Sequence, residues 1–248
     1  MIAGIILAAG KGTRIKVKNK NKVTLPFLNK PLITYGVDLL TTLTDKVVVV
    51  VGAFHESVKS ILKDYDVIYA YQKKRLGTAH ATKIGLEKLT TMSPQPEIVI
   101  VAYGDHTMFY KKERIAELIN IHKKQKAVVT FITTIMPDPF GYGRIIRKVN
   151  EGVVAIIEDK NASDEQKKIK EINAGFYCLD YKFITKNINK IKKSFESKEY
   201  YLTDLIEIAL RQNHKVVGVK LPFSEVGIGI NRHVELKEIQ KLYLEKAK

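Results

Sequence analysis

Cysteine is almost absent from this chain of 248 residues, and the single one, Cys178, can form neither an intramolecular disulfide nor a cysteine-rich zinc site. No apolar run approaches the ~18 residues needed to span a membrane. The short apolar run at the N-terminus has its first lysine, Lys11, after it, whereas a secretory signal peptide has its positive charge before it. We therefore expect a protein of the reducing cytoplasm with no membrane partner.

Acidic residues are also scarce: 26 Asp and Glu stand against 42 Lys and Arg, which gives a formal net charge of +16. Such an excess indicates a polyanionic partner, either small phosphates drawn into a cleft or nucleic acid. The basic clusters are scattered along the sequence, and no aromatic-rich RNA motif accompanies them. Nucleic acid is therefore the weaker expectation.

Strand-like and helix-like segments alternate with short connections over the first part of the chain, a pattern typical of a parallel sheet covered on both faces. The fold class predicted is α/β, with a Rossmann-like, mainly parallel sheet and a small β-rich lobe. The predicted strands of the sheet lie near residues 5–9, 46–51, 67–70, 98–102 and 216–220. The predicted helices lie near residues 31–40, 54–63, 78–89, 201–212 and 233–246.

The pattern changes at Pro137, where a segment dense in turn residues is followed by shorter β-like runs at 144–147, 153–158 and 172–179. We expect one domain, residues 1–248, in which 1–136 form an α/β core and 137–180 form the β-rich lobe. Residues 181–248 would then complete the core with helices and a strand.

The buried N-terminal strand runs into Ala8-Ala9-Gly10-Lys11-Gly12, where small residues let a ligand lie against bare backbone. Free amides followed by cations suit a polyphosphate. The loop fails as a dinucleotide fingerprint because Ile15 stands where the third glycine is needed, and it also lacks the Walker spacing. It is a phosphate loop of another kind or a plain turn.

Three further positions at strand ends carry groups that could meet a nucleotide. Asp105 follows an apolar strand and would offer Mg²⁺ a carboxylate, although it could equally be the N-cap of the next helix. Gln72 and Thr78 lie between a strand and a helix, where they could contact a base edge. For Thr78 the alternative interpretation is again a helix cap.

A series of segments spread over nearly the whole chain resembles, in order, the uridylyltransferase domain of bacterial N-acetylglucosamine-1-phosphate uridylyltransferases. The segments are Leu7-Ala8-Ala9-Gly10-Lys11-Gly12-Thr13-Arg14, Lys22-Val23, Gln72, Leu76-Gly77-Thr78-Ala79-His80-Ala81, Tyr103-Gly104-Asp105, Gly141-Tyr142-Gly143-Arg144-Ile145, Glu158, Glu171-Ile172-Asn173-Ala174-Gly175, Glu199-Tyr200-Tyr201-Leu202-Thr203-Asp204 and Gly229-Ile230-Asn231.

The resemblance implies a role for each matching position. Those implied to bind the nucleotide are Leu7, Ala8, Ala9, Gly10, Gly12, Gln72, Gly77, Thr78, Tyr103 and Gly104. Those implied to bind the sugar phosphate are Gly143, Glu158, Asn173 and Thr203. Asp105 and Asn231 match the positions that hold Mg²⁺, and Arg14 and Lys22 match the cations of the transfer step.

The activity implied is Mg²⁺-dependent transfer of a uridylyl group from UTP to N-acetylglucosamine-1-phosphate. The alternatives are another sugar-1-phosphate, such as glucose-1-phosphate with UTP or dTTP, and a non-catalytic regulatory or nucleic-acid-binding relative. The hexapeptide repeats of the family's acetyltransferase domain are not found, so neither acetyl transfer nor the trimer built by that domain is expected. The oligomeric state stays open between a monomer and a weak dimer.

One departure from the family falls next to Lys22, where Asn21 replaces the usual proline. Because Asn21 ends a lysine-rich segment, we expect residues 16–21 to be loose and to become ordered only when UTP is bound.

Overall fold

A computed structural model of the chain describes residues 1–12, 15, 19–148, 152–227, 229–230 and 233–246. Its strands are β1 (Ile2–Ala8), β2 (Pro26–Phe27), β3 (Lys30–Pro31), β4 (Lys46–Val51), β5 (Ile68–Tyr71), β6 (Ile98–Tyr103), β7 (Val129–Ile135), β8 (Arg144–Lys148), β9 (Gly152–Ile157), β10 (Glu171–Asp180) and β11 (Val216–Lys220). Its α-helices are α1 (Leu32–Thr41), α2 (His55–Ile61), α3 (Thr78–Leu89), α4 (Lys112–Lys124), α5 (Asp164–Lys167), α6 (Tyr181–Asn187), α7 (Asp204–Arg211), α8 (Phe223–Val226) and α9 (His233–Lys246).

The main sheet has the strand order β11-β7-β10-β6-β1-β4-β5, as traced through the described residues. β1 pairs in parallel with β4 and β6, and β4 pairs in parallel with β5. β11 and β7 are also parallel to each other, whereas β10 lies antiparallel between β6 and β7. The predicted α/β fold with a mainly parallel sheet is therefore confirmed.

Alternate residues of the central strands face two different hydrophobic layers, because successive side chains of a strand point to opposite faces. Ile5 and Val48 pack in the layer that contains α3, α6 and α7. Ile6 and Val49 pack in the layer that contains α1, α2 and α4. Burial on both faces explains why these strands read as unbroken apolar runs rather than as alternating ones.

The lobe after Pro137 consists mainly of the hairpin β8–β9, and within the described residues its strand pairing with the sheet is that of Arg144 with Ile172 on β10. The run at 172–179, assigned from sequence to this lobe, lies in β10 and contributes most of its length to the main sheet. The lobe is thus continuous with the core, and the boundaries drawn from sequence between core and lobe stay a prediction.

An ion-pair network fastens the lobe to the sheet. The guanidinium of Arg147 on β8 donates to both carboxylate oxygens of Glu171 on β10, at 2.7 and 3.0 Å for the shortest contact to each. Thr133 on β7 donates to the same carboxylate at 2.6 Å. Burial alone would raise the pKa of Glu171, but these hydrogen bonds and the Arg147 charge outweigh it and hold the pKa below its ordinary value.

Cys178 lies fully buried on β10, and burial raises the pKa of its thiol to about 12. It therefore stays protonated and packs as an apolar side chain. Throughout the described ranges, no helix is both long enough and apolar enough to cross a membrane.

Candidate active site

A cleft of about 680 Å³ opens where β1, β5 and β6 end, at the carboxyl edge of the sheet. Ligands of open α/β sheets bind at this edge. Its lining is drawn from both halves of the chain and comprises Leu7, Ala8, Ala9, Gly10, Lys11, Asn21, Lys22, Val23, Gln72, Arg75, Gly77, Thr78, Ala81, Tyr103, Asp105, His106, Gly141, Tyr142, Gly143, Glu158, Asn173, Glu199 and Gly229. The structure therefore brings most of the predicted site residues together in one place.

The glycine loop after β1 leaves room in the cleft. A Cβ added to Gly10 would meet no atom of the described residues within 4 Å, so packing does not explain the glycine there. Gly12 differs: its φ of +66° is in the left-handed region, and an added Cβ would lie 2.8 Å from the Cβ of Lys22. Gly12 thus lets Lys22 pack against the loop, and Gly12 itself is not among the residues that line the cleft.

Lys22 and Asp105, which both line the cleft, form an ion pair next to the glycine loop. Asp105 follows β6 in a turn that is closed by a bond from the N–H of His106 to the carbonyl of Tyr103 at 3.0 Å, and the N–H of Gly104 still donates to Leu7 on β1 at 3.1 Å. Both side chains are largely buried, with 16 % of Lys22 and 17 % of Asp105 exposed. Burial tends to raise the pKa of Asp105, but the charge and hydrogen bond of Lys22 outweigh it, so the pKa lies below its ordinary value. Asp105 is therefore ionised.

The alternative interpretation of Asp105 as a helix cap is wrong, because α4 begins seven residues later with Lys111 at its N-cap. Thr78 is likewise no cap: Gly77 is the N-cap of α3, and the Thr78 hydroxyl accepts the N–H of Leu202 at 3.0 Å. Neither side chain caps a helix: Asp105 pairs with Lys22, and Thr78 bonds to Leu202, which is distant in sequence.

His106, next to Asp105, is buried, with its Nε2 3.2 Å from the carbonyl oxygen of Gly227. Burial lowers the pKa of this imidazole, so it is neutral. Its ring packs edge-on to Tyr142 at a centroid distance of 6.3 Å. Through this contact His106 joins Tyr142, just before β8, to the Asp105 side of the cleft, a role that its place in the sequence did not indicate.

Arg14 and Asn231, predicted as a catalytic cation and a metal ligand, lie outside the described residues, as do residues 16–18 of the lysine-rich segment. The described residue before Asn231 is Ile230, whose N–H donates to the carbonyl of Asp105 at 3.3 Å. The chain thus returns to Asp105 immediately before residue 231.

Asn21 contradicts the expectation of a loose segment at its position. Only 1 % of the residue is exposed, and its side-chain amide donates to the carbonyl oxygens of Ala8, Gly10 and Ala53 at 2.8 to 3.1 Å. A polar residue at the end of a lysine-rich run gives no sign of burial, because only the folded chain brings these carbonyls around it.

The amide of Gln72 is fixed between two acceptors. Its Nε2 lies 3.2 Å from the carbonyl oxygen of Gly77 and 2.8 Å from Nδ1 of His80. Because a carbonyl oxygen can only accept, the atom facing it must be the NH₂ group, and Nδ1 of His80 must then carry the lone pair. Burial lowers the pKa of His80, in agreement with this neutral form. Oε1 of Gln72 is thereby left as the acceptor of this side chain.

The other half of the cleft carries a carboxylate and an amide. Glu158 accepts the Thr203 hydroxyl at 2.8 Å, and burial raises the pKa of its carboxyl. Asn173 donates its backbone N–H to the carbonyl of Gly143 at 3.0 Å and its side-chain amide to the Tyr177 hydroxyl at 2.6 Å. Thr203 does not line the cleft, so it contacts the site through Glu158.

Hydrogen bonds join the two halves beneath the floor of the cleft. The Tyr103 hydroxyl interacts with Thr78 on one side and with Tyr177 on the other, and Tyr177 meets Asn173. Tyr177 is fully buried and Tyr103 is partly buried at the cleft wall, and this burial raises the pKa of both phenols above the ordinary value. They are neutral hydrogen-bonding groups that fix the distance between the halves.

Residues 3–226 match the family described as nucleotidyl transferase. The chain belongs to the nucleotidyl transferase family. Similar proteins include the bifunctional protein GlmU of Caldicellulosiruptor saccharolyticus, 40 % identical over 234 residues, which are 94 % of this chain and 50 % of that protein. The bifunctional protein GlmU of Thermoanaerobacter pseudethanolicus is 39 % identical over 239 residues, or 96 % of this chain and 50 % of that protein. This nucleotidyl transferase thus spans about half the length of the curated relatives it matches.

A crystal structure from Bacillus anthracis, described as a candidate glucose-1-phosphate thymidylyltransferase in complex with sucrose, superposes with a TM-score of 0.76. The match covers 98 % of this chain and 95 % of that one at 22 % sequence identity. At this identity the likeness establishes the shared fold of the nucleotidyl transferase alone.

Proposed function

We propose that this nucleotidyl transferase transfers a uridylyl group from UTP to N-acetylglucosamine-1-phosphate, releasing pyrophosphate. The observation that carries the proposal is a single cleft with two unlike halves. One half has a glycine loop and the Lys22–Asp105 pair, which suit phosphates. The other has Glu158 and Asn173, which suit the hydroxyl and amide groups of an amino sugar. The match to the GlmU proteins along nearly the whole chain supports the choice of sugar.

The reaction brings together two polyanions, so its main obstacle is charge repulsion. An oxygen of the sugar-1-phosphate attacks the α-phosphorus of UTP, a new P–O bond forms, and the bond from the α-phosphorus to the bridging oxygen breaks as pyrophosphate leaves with the electron pair. The protein supplies no nucleophile. It supplies position and positive charge, through Lys22 at the α-phosphate and Lys11 and Arg75 along the cleft.

The cleft fits a Mg²⁺ ion that is completed by substrate phosphates. Asp105 offers an ionised carboxylate, and the described residues hold no group of three or more His, Cys, Asp or Glu side chains that would form a protein-only cage. Mg²⁺ commonly binds through one or two carboxylates together with phosphates. Bound there with Asp105, and with Asn231 as the second proposed ligand, the ion would neutralise charge on the phosphates.

The fixed amide of Gln72 favours a base that donates from its ring nitrogen. Uracil and thymine carry an N3–H on the edge where cytosine carries a lone pair. Because Gly77 and His80 use the NH₂ group of Gln72, its Oε1 is the atom available to such a donor. The site should therefore accept the bases of UTP and dTTP and reject the base of CTP.

Replacing Gln72 by leucine is expected to remove this selection. The kcat/KM for UTP should fall about tenfold or more, and the preference for UTP over CTP should shrink by a similar factor, because a polar group built to meet a base edge has been lost. The comparison is made from pyrophosphate release with each nucleotide at fixed sugar phosphate. Gln95→Leu, at an exposed position, is the control and should leave both values unchanged. An unaltered UTP/CTP ratio in Gln72→Leu would show that another group selects the base.

The direct test of the proposed function is a panel of sugar-1-phosphates against UTP, dTTP, CTP, ATP and GTP, followed by pyrophosphate release in Mg²⁺. We expect turnover with UTP and N-acetylglucosamine-1-phosphate to exceed that of every other pair. Equal or better turnover with glucose-1-phosphate would assign the enzyme to another sugar. No turnover with any pair, together with salt-sensitive RNA binding, would favour a non-catalytic relative.

A further inference from the structure

The side chain of Asn21 lies where three segments of the chain meet: the glycine loop after β1, the turn between β4 and α2, and the short 3₁₀ turn at Lys22–Thr24. We propose that Asn21 is a positioning residue, which clamps the glycine loop to Lys22 and so sets the distance between the backbone that receives the triphosphate and the ammonium group that neutralises it. This inference rests on the proposed function.

The amide faces more acceptors than it has hydrogens. Nδ2 lies 2.9 Å from the carbonyl oxygen of Ala8, 3.1 Å from that of Gly10 and 2.8 Å from that of Ala53. Two N–H groups therefore serve three carbonyls, and at least one bond is shared. Ala8 and Gly10 flank Ala9, at which β1 passes into the glycine loop. The Asn21 amide therefore stabilises this bend directly.

The remaining polar atoms of Asn21 hold the segment that carries Lys22. Its Oδ1 accepts the N–H of Val23 at 3.2 Å and caps the 3₁₀ turn, while its own N–H donates to Ser57 Oγ at 3.0 Å. Its carbonyl oxygen accepts the hydroxyl of Thr24 at 2.7 Å. Every hydrogen-bonding group of one residue is thus engaged, on one side with the loop and on the other with the turn that begins at Lys22.

The glycine loop and the segment that carries Lys22, both of which bind Asn21, also contact each other. The close approach of Lys22 Cβ to Gly12 packs the stem of the lysine on the loop, and its ammonium group reaches Asp105. A shift of the loop relative to Asn21 would therefore move the phosphate-binding backbone away from Lys22. Misplacement of a reacting group by about 1 Å can cost on the order of 10²-fold in rate.

The substitution Asn21→Asp isolates the clamp. Aspartate keeps the size and the oxygen that caps the turn, but its carboxyl group carries at most one hydrogen for the three carbonyls, where the amide carries two. We expect kcat to fall about 10- to 100-fold, while KM for the sugar-1-phosphate changes by less than about twofold because the sugar half of the cleft is untouched. Steady-state pyrophosphate release gives both constants, and thermal unfolding gives the stability.

Asn187→Asp is the matched control. Asn187 is also 1 % exposed and donates its amide to a backbone carbonyl, that of Phe183 at 2.9 Å, but it does not line the cleft. Asn187→Asp should leave kcat per folded molecule unchanged, whatever its effect on the unfolding temperature. If Asn21→Asp behaves in the same way as Asn187→Asp, Asn21 only stabilises the fold and the proposal is overturned.

A second variant is needed in case Asn21→Asp does not fold. Ser57→Ala removes the acceptor of the Asn21 N–H and leaves the side-chain amide in place, so kcat should fall by a smaller factor, about two- to fivefold. An unchanged kcat in Ser57→Ala, with Asn21→Asp unfolded, would also overturn the proposal.

Turnover of sugar phosphates by the wild-type protein distinguishes a failure of the clamp from a failure of the proposed function. If it turns over no sugar phosphate, the proposed function has failed, and the clamp is judged by calorimetric binding of Mg²⁺-pyrophosphate. Binding about tenfold weaker in Asn21→Asp than in the wild type would support the clamp, because the loop would no longer be held against Lys22. Equal binding, or none by the wild type, would overturn it.

Discussion

Replacing Asp105 by asparagine is expected to lower kcat/KM by a factor on the order of 10²–10³, since the loss of one preorganised electrostatic group typically costs about that much. Asp105 is the ionised carboxylate at the end of β6, and it pairs with Lys22. Asparagine would keep the shape and one oxygen but would remove the charge that we propose to attract a divalent cation. The Mg²⁺ concentration needed for half-maximal rate should therefore rise together with the loss of rate.

The measurement is a Mg²⁺ titration of pyrophosphate release, with circular dichroism and thermal unfolding to show that the variant is folded. Asp38→Asn is the control, because it breaks another aspartate–lysine pair, Lys30–Asp38 at 2.6 Å, that does not line the cleft. The control should keep the wild-type Mg²⁺ dependence. Full activity of Asp105→Asn at the wild-type Mg²⁺ concentration would remove Asp105 from the proposed metal site.

Replacing Lys22 by methionine should lower kcat by about 10²- to 10³-fold, because the ammonium group is proposed to stabilise charge that develops at the α-phosphate. The substitution has a second effect on Asp105. Without the nearby cation, burial becomes the dominant influence on that carboxyl, so its pKa should rise. The residual activity of Lys22→Met is expected to depend on ionised Asp105. When the pH is lowered, this activity should therefore be lost at a higher pH than in the wild type.

The test is a profile of kcat and KM against pH for the wild type, Lys22→Met and Lys22→Arg. Arginine keeps the charge and should restore the acid limb towards its wild-type position, although its planar fork will not reproduce the geometry of an ammonium group. Lys30→Met, at an exposed ion pair, should change neither constant. A Lys22→Met variant that keeps half of the wild-type kcat would show that Lys22 is not at the transferred phosphate.

The parallel half of the sheet could be predicted from the sequence because its strands are buried on both faces. β4, α3 and β11 have the boundaries that were predicted, and each is bounded by turn residues or by a clear change of polarity. β7 was not predicted, because Thr130, Thr133 and Thr134 interrupt its apolar run. The structure shows these threonines fully buried, with hydroxyls bonded to His122, Glu171 and the carbonyl of Leu221. Their partners are distant in sequence, so their burial could not be inferred.

The composition of the site was more predictable than its geometry. Most residues placed by motif resemblance do line the cleft, because motifs report side-chain chemistry at strand ends. What a motif does not report is the set of neighbours that fixes each group, such as His80 beside Gln72 or Thr203 beside Glu158. For Asn21 the departure from the motif was interpreted in the wrong direction, since the three carbonyls it serves come together only after β1 and β4 are paired.

The antiparallel strand β10 has a consequence for the way the chain can be assembled. Before residues 171–180 are synthesised, β6 has an unpaired edge, and β7 cannot reach it because β10 belongs between them. The first 136 residues therefore cannot close their own sheet, and an open edge of this kind invites pairing with other chains. Completion of the sheet in the emerging polypeptide therefore depends on the later half of the chain, which supplies the strand that covers the edge of β6.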